Sequence, residues 1–202
     1  MPETGAGQRL PAVVMVHGWQ GDEKVMGIFE RTVPAGAIIV SPRAPLEVAT
    51  DSFGWYRQDE GQAEFEAGVE SLAAFVRQLP QDYPIDPLRV VVMGFSQGAS
   101  IAYSLLLMAP ELMLGAAALA GFLPDQARQW LAPGRLAGKQ VFSAHGTDDE
   151  TVPVPYARAA RIDLERAGAE VAYHEYEGVG HKLNAQGMRD LSEWLAARLG
   201  PA

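Results

Sequence analysis

The sequence predicts an α/β fold, a mostly parallel sheet of about six or seven strands with helices on both faces. Three observations predict it. Short continuous apolar runs, the pattern of strands covered on both faces, alternate with longer segments of helical period. A parallel neighbour is reached only through a crossover, so alternation of this kind implies parallel strands. Glycines and prolines, among them Gly18, Gly94, Gly98, Gly121 and Gly146, gather just after the apolar runs, where tight turns need them.

Taken in order, Ala12 to Val16 reads as the first strand and Ala37 to Val40 as the second. Ser41 to Gly61 is the one long irregular stretch, and its Pro, Trp and Tyr residues suggest a packed functional loop. Phe65, Val69, Leu72, Val76 and Leu79 recur at steps of four and three, which places them on one face of a helix from Gln62 to Gln78. Arg89 to Met93 is the strongest strand, followed by a helix from Ser100 to Met108. Ala116 to Ala120, Gln140 to Ala144 and Glu170 to Tyr176 complete the strand set. Pro155 to Arg166 reads as a helix closed by Gly168, and Met188, Leu191, Leu195 and Leu199 form the stripe of a last one.

With 202 residues, 48% hydrophobic and 20% charged, the chain has the composition of an ordinary globular protein, and residues 1–202 are expected to form a single domain. Folding a chain of this length buries about 70% of the surface that the unfolded chain exposes, enough for a core without staples. The absence of cysteine removes thiolate metal sites and cysteine nucleophiles and fits a reducing compartment. Sixteen Lys and Arg against 25 Asp and Glu give a net charge of −9, opposite to the footprint of a nucleic-acid binder. Ala12 to Val16, the first apolar run, is too short for a signal core or a membrane span. A cytoplasmic location without stable membrane insertion is expected.

Ligands of such a sheet sit at the C-terminal strand ends. After the strongest strand comes Gly94-Phe95-Ser96-Gln97-Gly98, then a helix, which is Gly-x-Ser-x-Gly in the strand-turn-helix context that exposes a serine hydroxyl. The glycines are a steric requirement of that turn. A serine hydroxyl needs a base oriented by a third group. Both follow in the order Ser, Asp, His: one strand ends in His145-Gly146-Thr147-Asp148-Asp149-Glu150-Thr151-Val152-Pro153, the last in Gly178-Val179-Gly180-His181. Spacing alone does not choose between Asp148 and Asp149. The N–H of Gln97, directly after the nucleophile, is one expected oxyanion donor.

Those segments, together with His17-Gly18-Trp19-Gln20-Gly21-Asp22, resemble the phospholipase/carboxylesterase family of α/β-hydrolases, the group that includes acyl-protein thioesterases. The resemblance runs from about Ala12 to the last helix and implies the α/β-hydrolase fold; the short inserts at Ser41 to Gly61 and Gly121 to Lys139 leave no room for a large lid. It implies that the acid begins an Asp-x-x-Val-Pro pattern, here Asp149, and that the second oxyanion donor is the backbone N–H of Trp19. Trp19 is bulkier than the family's usual residue, and its ring is expected to narrow the acyl site. Asp51 to Tyr56 resembles a segment with an aromatic pair near the acyl pocket, so Phe53 and Trp55 are candidate substrate contacts. Phe122 and Leu123, in Gly121-Phe122-Leu123-Pro124, are candidates for another wall.

The expected function is a serine carboxylesterase acting on short- to medium-chain acyl esters, with thioesters and lysophospholipids as related substrates. No cofactor and no metal are expected: neither His-x-x-x-His nor Gly-x-Gly-x-x-Gly occurs. A small-molecule ester is the expected partner, and oligomeric state is not readable. A peptidase or lactone hydrolase on the same fold is the alternative, followed by a non-catalytic binding protein. His17 and His145 read as structural, holding their turns by side-chain hydrogen bonds, and Glu64, Glu66 and Glu70 as a solvated face.

Overall fold

The computed structural model describes residues 8–59 and 61–200. The ends of the expected 1–202 domain, including Met1 to Gly7 and Pro201 to Ala202, and position 60 of the long irregular stretch lie outside the described residues. In chain order the strands are β1 (Leu10–Val16), β2 (Ile38–Val40), β3 (Leu46–Ala49), β4 (Ser52–Gly54), β5 (Ile85–Phe95), β6 (Gly115–Leu119), β7 (Gln140–Gly146) and β8 (Glu170–Tyr176). The helices are α1 (Gln62–Asp82), α2 (Gln97–Met108), α3 (Val154–Arg166) and α4 (Ala185–Leu199).

Six strands form one sheet in the order β2-β1-β5-β6-β7-β8, and each neighbouring pair is parallel. All six correspond to the apolar runs of the sequence. Successive side chains point to opposite faces, so the central strands feed two cores. Ala12, Val14, Val90, Val92, Ala116 and Val141 pack with Phe65, Leu72 and Val76 of α1, Ile101 and Leu105 of α2 and Leu164 of α3. Val13, Met15, Val91, Met93, Ala117 and Phe142 pack on the other face with Leu191, Trp194 and Leu195 of α4. The chain therefore has a three-layer architecture, a parallel sheet between two layers of helix, as the expected α/β-hydrolase fold requires.

Three local features depart from the sequence expectation. The stretch Ser41 to Gly61 is not wholly irregular: β3 and β4 pair antiparallel across a turn where Asp51 adopts φ 53°. The segment Val25–Thr32 forms 3-10 turns that set Met26 and Phe29 into the second core, entered through Asp22, whose Oδ1 accepts from the N–H groups of Lys24 and Val25. Helix α1 continues past Gln78 to Asp82 with Pro80 inside its last turn. The proline gives up one intrahelical bond, while the Tyr83 N–H still reaches the Leu79 carbonyl at 2.9 Å. Among the described residues no helix is long and apolar enough to cross a membrane.

Candidate active site

Strand β5, at the centre of the sheet, delivers Ser96 to the C-terminal edge. Ser96 sits between the last residue of β5 and the first of α2 with φ 55° and ψ −120°, a conformation an L-residue adopts only at a cost of about 1–3 kcal/mol. Its N–H is tied to the Leu119 carbonyl of β6 at 2.9 Å. The flanking glycines are where the chain segments touch. A Cβ on Gly94 would stand 2.1 Å from the Gly98 carbonyl oxygen, and one on Gly98 would stand 2.1 Å from that of Val16. The steric requirement read from the motif is met in both places.

The loop after β7 and the loop after β8 are stitched together: Asp148 N–H donates to the Val179 carbonyl at 2.9 Å and Gly178 N–H to Thr147 Oγ1 at 3.0 Å. This brings Asp149 and His181 together, with His181 Nδ1 2.7 Å from Asp149 Oδ2. A carboxylate only accepts, so Nδ1 carries a proton, the tautomer in which the lone pair of a neutral imidazole lies on Nε2. Asp149 Oδ1 accepts from the N–H groups of Thr151 at 2.9 Å and Val152 at 2.8 Å, and the carboxylate is buried. Asp148 instead is exposed and its Oδ1 accepts from Thr147 Oγ1 at 2.9 Å. The His181 ring leans on Phe95, with centroids 4.9 Å apart. Ser96 and His181 line one cavity without a hydrogen bond between them, a contact that in free enzymes commonly tightens only with substrate in place.

The two other histidines of the site region are buried and hold turns. The Ala44 N–H donates to His17 Nε2 at 3.0 Å, leaving Nδ1 to donate to the Gly18 carbonyl at 2.8 Å. His145 Nε2 donates to the Val152 carbonyl at 2.7 Å and lies 3.3 Å from Asp149 Oδ2. Burial lowers the pKa of both, which keeps them neutral at pH 7. His145 was readable as structural; its contact with the acid was not.

Gln97 begins α2, whose first N–H groups have no acceptor within the helix. Its side chain is fully engaged: Oε1 accepts from the Trp55 N–H at 2.9 Å and Nε2 donates to the Tyr56 carbonyl at 2.7 Å. Trp19 follows β1 beside the same turn, and its half-exposed ring rests on Gly54, where an added Cβ would stand 2.5 Å from it.

Two cavities meet at Ser96, Trp19 and Thr151. The larger, about 820 Å³, has Gln97 and Phe122 in its wall and polar groups at Arg57, Gln58, Asp59 and Gln126. The smaller, about 590 Å³, is walled by Val25, Ile28, Phe29, Leu183 and Met188 and contains His181. Of the four candidate substrate contacts, Phe122 alone lines either of these two cavities. Trp55 is a correction: it is 1% exposed, and its Nε1 donates to the His17 carbonyl at 2.9 Å, so the ring braces the turn after β1. Leu123 is likewise in the core. Phe53 pairs its N–H with the Gly21 carbonyl at 2.9 Å and lies under the Arg43 guanidinium, 4.6 Å from its ring centre. Glu64 is also more than a solvated acid, since it accepts from the Arg57 N–H at 2.7 Å and Arg57 Nη1 at 2.9 Å. The sequence reading missed Tyr156, which lines the larger cavity; its place just after the Asp-x-x-Val-Pro segment was the available signal.

Comparison with known proteins gives the chain's family. The profile of the phospholipase/carboxylesterase family matches residues 4–199. Acyl-protein thioesterase 1 of Emericella nidulans is 26% identical over 216 aligned positions, covering 96% of this chain and 84% of that protein. A probable carboxylesterase, SOBER1-like, of Arabidopsis thaliana is 29% identical over 118 positions, covering 57% of this chain and 44% of the relative. The chain thus spans about half the length of the plant carboxylesterases it matches, 44% and 50%. Among solved structures, the Bacillus cereus carboxylesterase superposes with a TM-score of 0.84 at 26% identity, covering 94% of this chain and 89% of that one. The Mesorhizobium loti carboxylesterase gives 0.82 at 26% identity, with coverage of 95% and 89%.

Proposed function

The chain belongs to the phospholipase/carboxylesterase family, and on that footing we propose that it is a single-domain serine carboxylesterase. Short- to medium-chain acyl esters are its substrates, with thioesters and lysophospholipids open to the same steps, and the cysteine-free composition fits a cytoplasmic setting. The observation that carries this reading is the 2.7 Å bond between His181 Nδ1 and Asp149 Oδ2, on an imidazole that shares a cavity with the strained Ser96.

In the proposed reaction Ser96 Oγ attacks the ester carbonyl while His181 Nε2 takes its proton. Asp149 holds the imidazole in the tautomer that can accept it and stabilises the imidazolium that forms. The backbone N–H groups of Gln97 and Trp19 receive the oxyanion, each worth about 3 kcal/mol of transition-state stabilisation. The leaving oxygen departs with the proton returned by His181, and water, activated by the same imidazole, releases the acid from Ser96.

The test is turnover of p-nitrophenyl esters of increasing chain length by wild type and Ser96→Ala, with a fluorophosphonate probe. Labelling of Ser96, and a fall of kcat by about 10⁴-fold or more in the variant, are the expected results. A stable wild-type protein that neither turns over esters nor takes the label would make the chain a binding protein on a hydrolase scaffold.

A further inference from the structure

Which cavity takes which half of the ester follows from proton transfer. The breaking C–O bond leaves its electron pair on the alcohol oxygen, and that oxygen must lie within hydrogen-bond reach of the imidazolium that protonates it. The alcohol half therefore extends on the His181 side of Ser96, and the acyl half on the other side, past Gln97. His181 lines only the smaller cavity, and Gln97 only the larger.

The two cavities differ in chemistry. The His181 side is walled mainly by Val25, Ile28, Phe29, Leu183 and Met188, with Gln20 and Lys182 among its polar residues. Ile28 is 70% and Val25 48% exposed, unusual for side chains of this size, and both stand in that cavity's wall. The Gln97 side carries Arg57, Gln58, Asp59, Asp125 and Gln126 around Phe122. Resting on the function proposed above, we infer that the enzyme takes esters oriented with an apolar alkyl alcohol in the smaller cavity and a compact acyl group bearing polar substituents in the larger one. The recognised chain is then on the alcohol, which narrows the acyl range proposed above to its short end, because a longer unsubstituted acyl chain runs past charged and amide groups in a wall it shares with Phe122, Val152 and Tyr156. Each CH₂ of the alcohol that is buried among these side chains contributes binding in proportion to the apolar area it removes from water.

Isomeric esters separate the two halves, because hexyl acetate and ethyl hexanoate have the same atoms and exchange only the side that carries the chain. Fluorophosphonate labelling of Ser96 and turnover of p-nitrophenyl acetate are measured first, so that the nucleophile is established independently. The expected result is a kcat/KM for hexyl acetate at least tenfold above that for ethyl hexanoate. In Ile28→Ser, an exposed position where the fold has little at stake, that ratio should drop fivefold or more. Equal rates, a preference for ethyl hexanoate, or a ratio unmoved by Ile28→Ser, with labelling intact, overturn the orientation and leave the esterase reading standing. Absence of both labelling and turnover overturns the two together.

Discussion

The turn after β5 and the loop after β7 both present a side chain of the proposed triad at the same edge of the sheet, but they hold it by opposite means. Around Ser96 the backbone itself is the device: Gly94 and Gly98 have no room for a Cβ, and the serine is held at φ 55°. Around Asp149 the device is hydrogen bonding, with two backbone N–H groups on Oδ1, and His181 at 2.7 Å and His145 at 3.3 Å from Oδ2. The first is positioned by exclusion and stores strain; the second is positioned by satisfaction of a buried charge. A rigid turn suits a nucleophile whose direction must not vary. A hydrogen-bonded carboxylate suits a group that must stay ionised in a buried place.

The largest expected effect comes from breaking the bonded side while keeping its shape. Asp149→Asn can retain both backbone bonds through its carbonyl oxygen, but its NH₂ faces His181 Nδ1–H and favours the wrong tautomer. A fall in kcat of about 10³-fold or more at preserved stability is expected, whereas Asp148→Asn should stay within about twofold; steady-state kinetics on both separates the two acids. Next is the excluded side. Gly98→Ala drives a methyl into the Val16 carbonyl at 2.1 Å, and urea unfolding should record a loss of about 3 kcal/mol or more.

His145→Asn tests whether the acid loop depends on its buried brace, with an expected loss of about 2 kcal/mol. It also carries a pH signature. Burial lowers the folded-state pKa of His145 and His17 below the ordinary value of 6.5. The unfolded chain therefore binds protons that the folded chain refuses, and stability falls as pH drops below about 6.5, by at most about 1.4 kcal/mol per pH unit for each proton. Unfolding free energies measured from pH 7.5 to 5 should show that slope, shallower in His145→Asn; an equal slope in the variant would remove His145 from the account. The smallest effect has the opposite sign. Ser96→Gly releases the strained φ and should raise stability by about 1 kcal/mol while abolishing turnover, and a melting temperature unchanged from wild type would mean the turn stores nothing.

The same contrast explains what was legible in the sequence. Exclusion leaves a mark on composition, so the elbow glycines and the six sheet strands, most of them continuous apolar runs, could be read directly. The strands β3 and β4 could not, being four and three residues long, too short for an alternation to stand out. Hydrogen bonding leaves no such mark: choosing Asp149 over Asp148 needed the family pattern, and no spacing gives the His145 contact. Trp55 was misjudged for a related reason. An aromatic residue in a loop has a position in the sequence but not a direction, and here Gln97, Gly68 and the His17 carbonyl turn it inward, its own carbonyl 2.2 Å from where a Gly68 Cβ would stand.

The carboxamide of Gln97 bonds to the N–H of one residue and the carbonyl of the next, Trp55 and Tyr56. It thereby welds the segment that continues into Tyr56 and Arg57 to the residue whose own N–H faces the reacting oxygen in the proposed reaction. Any drift of that wall is a drift of the donor. Remodelling the 56–59 segment to admit a new substrate would therefore alter kcat together with KM, and a glutamate at 97, which lacks the donor to the Tyr56 carbonyl, would loosen recognition and rate in a single step.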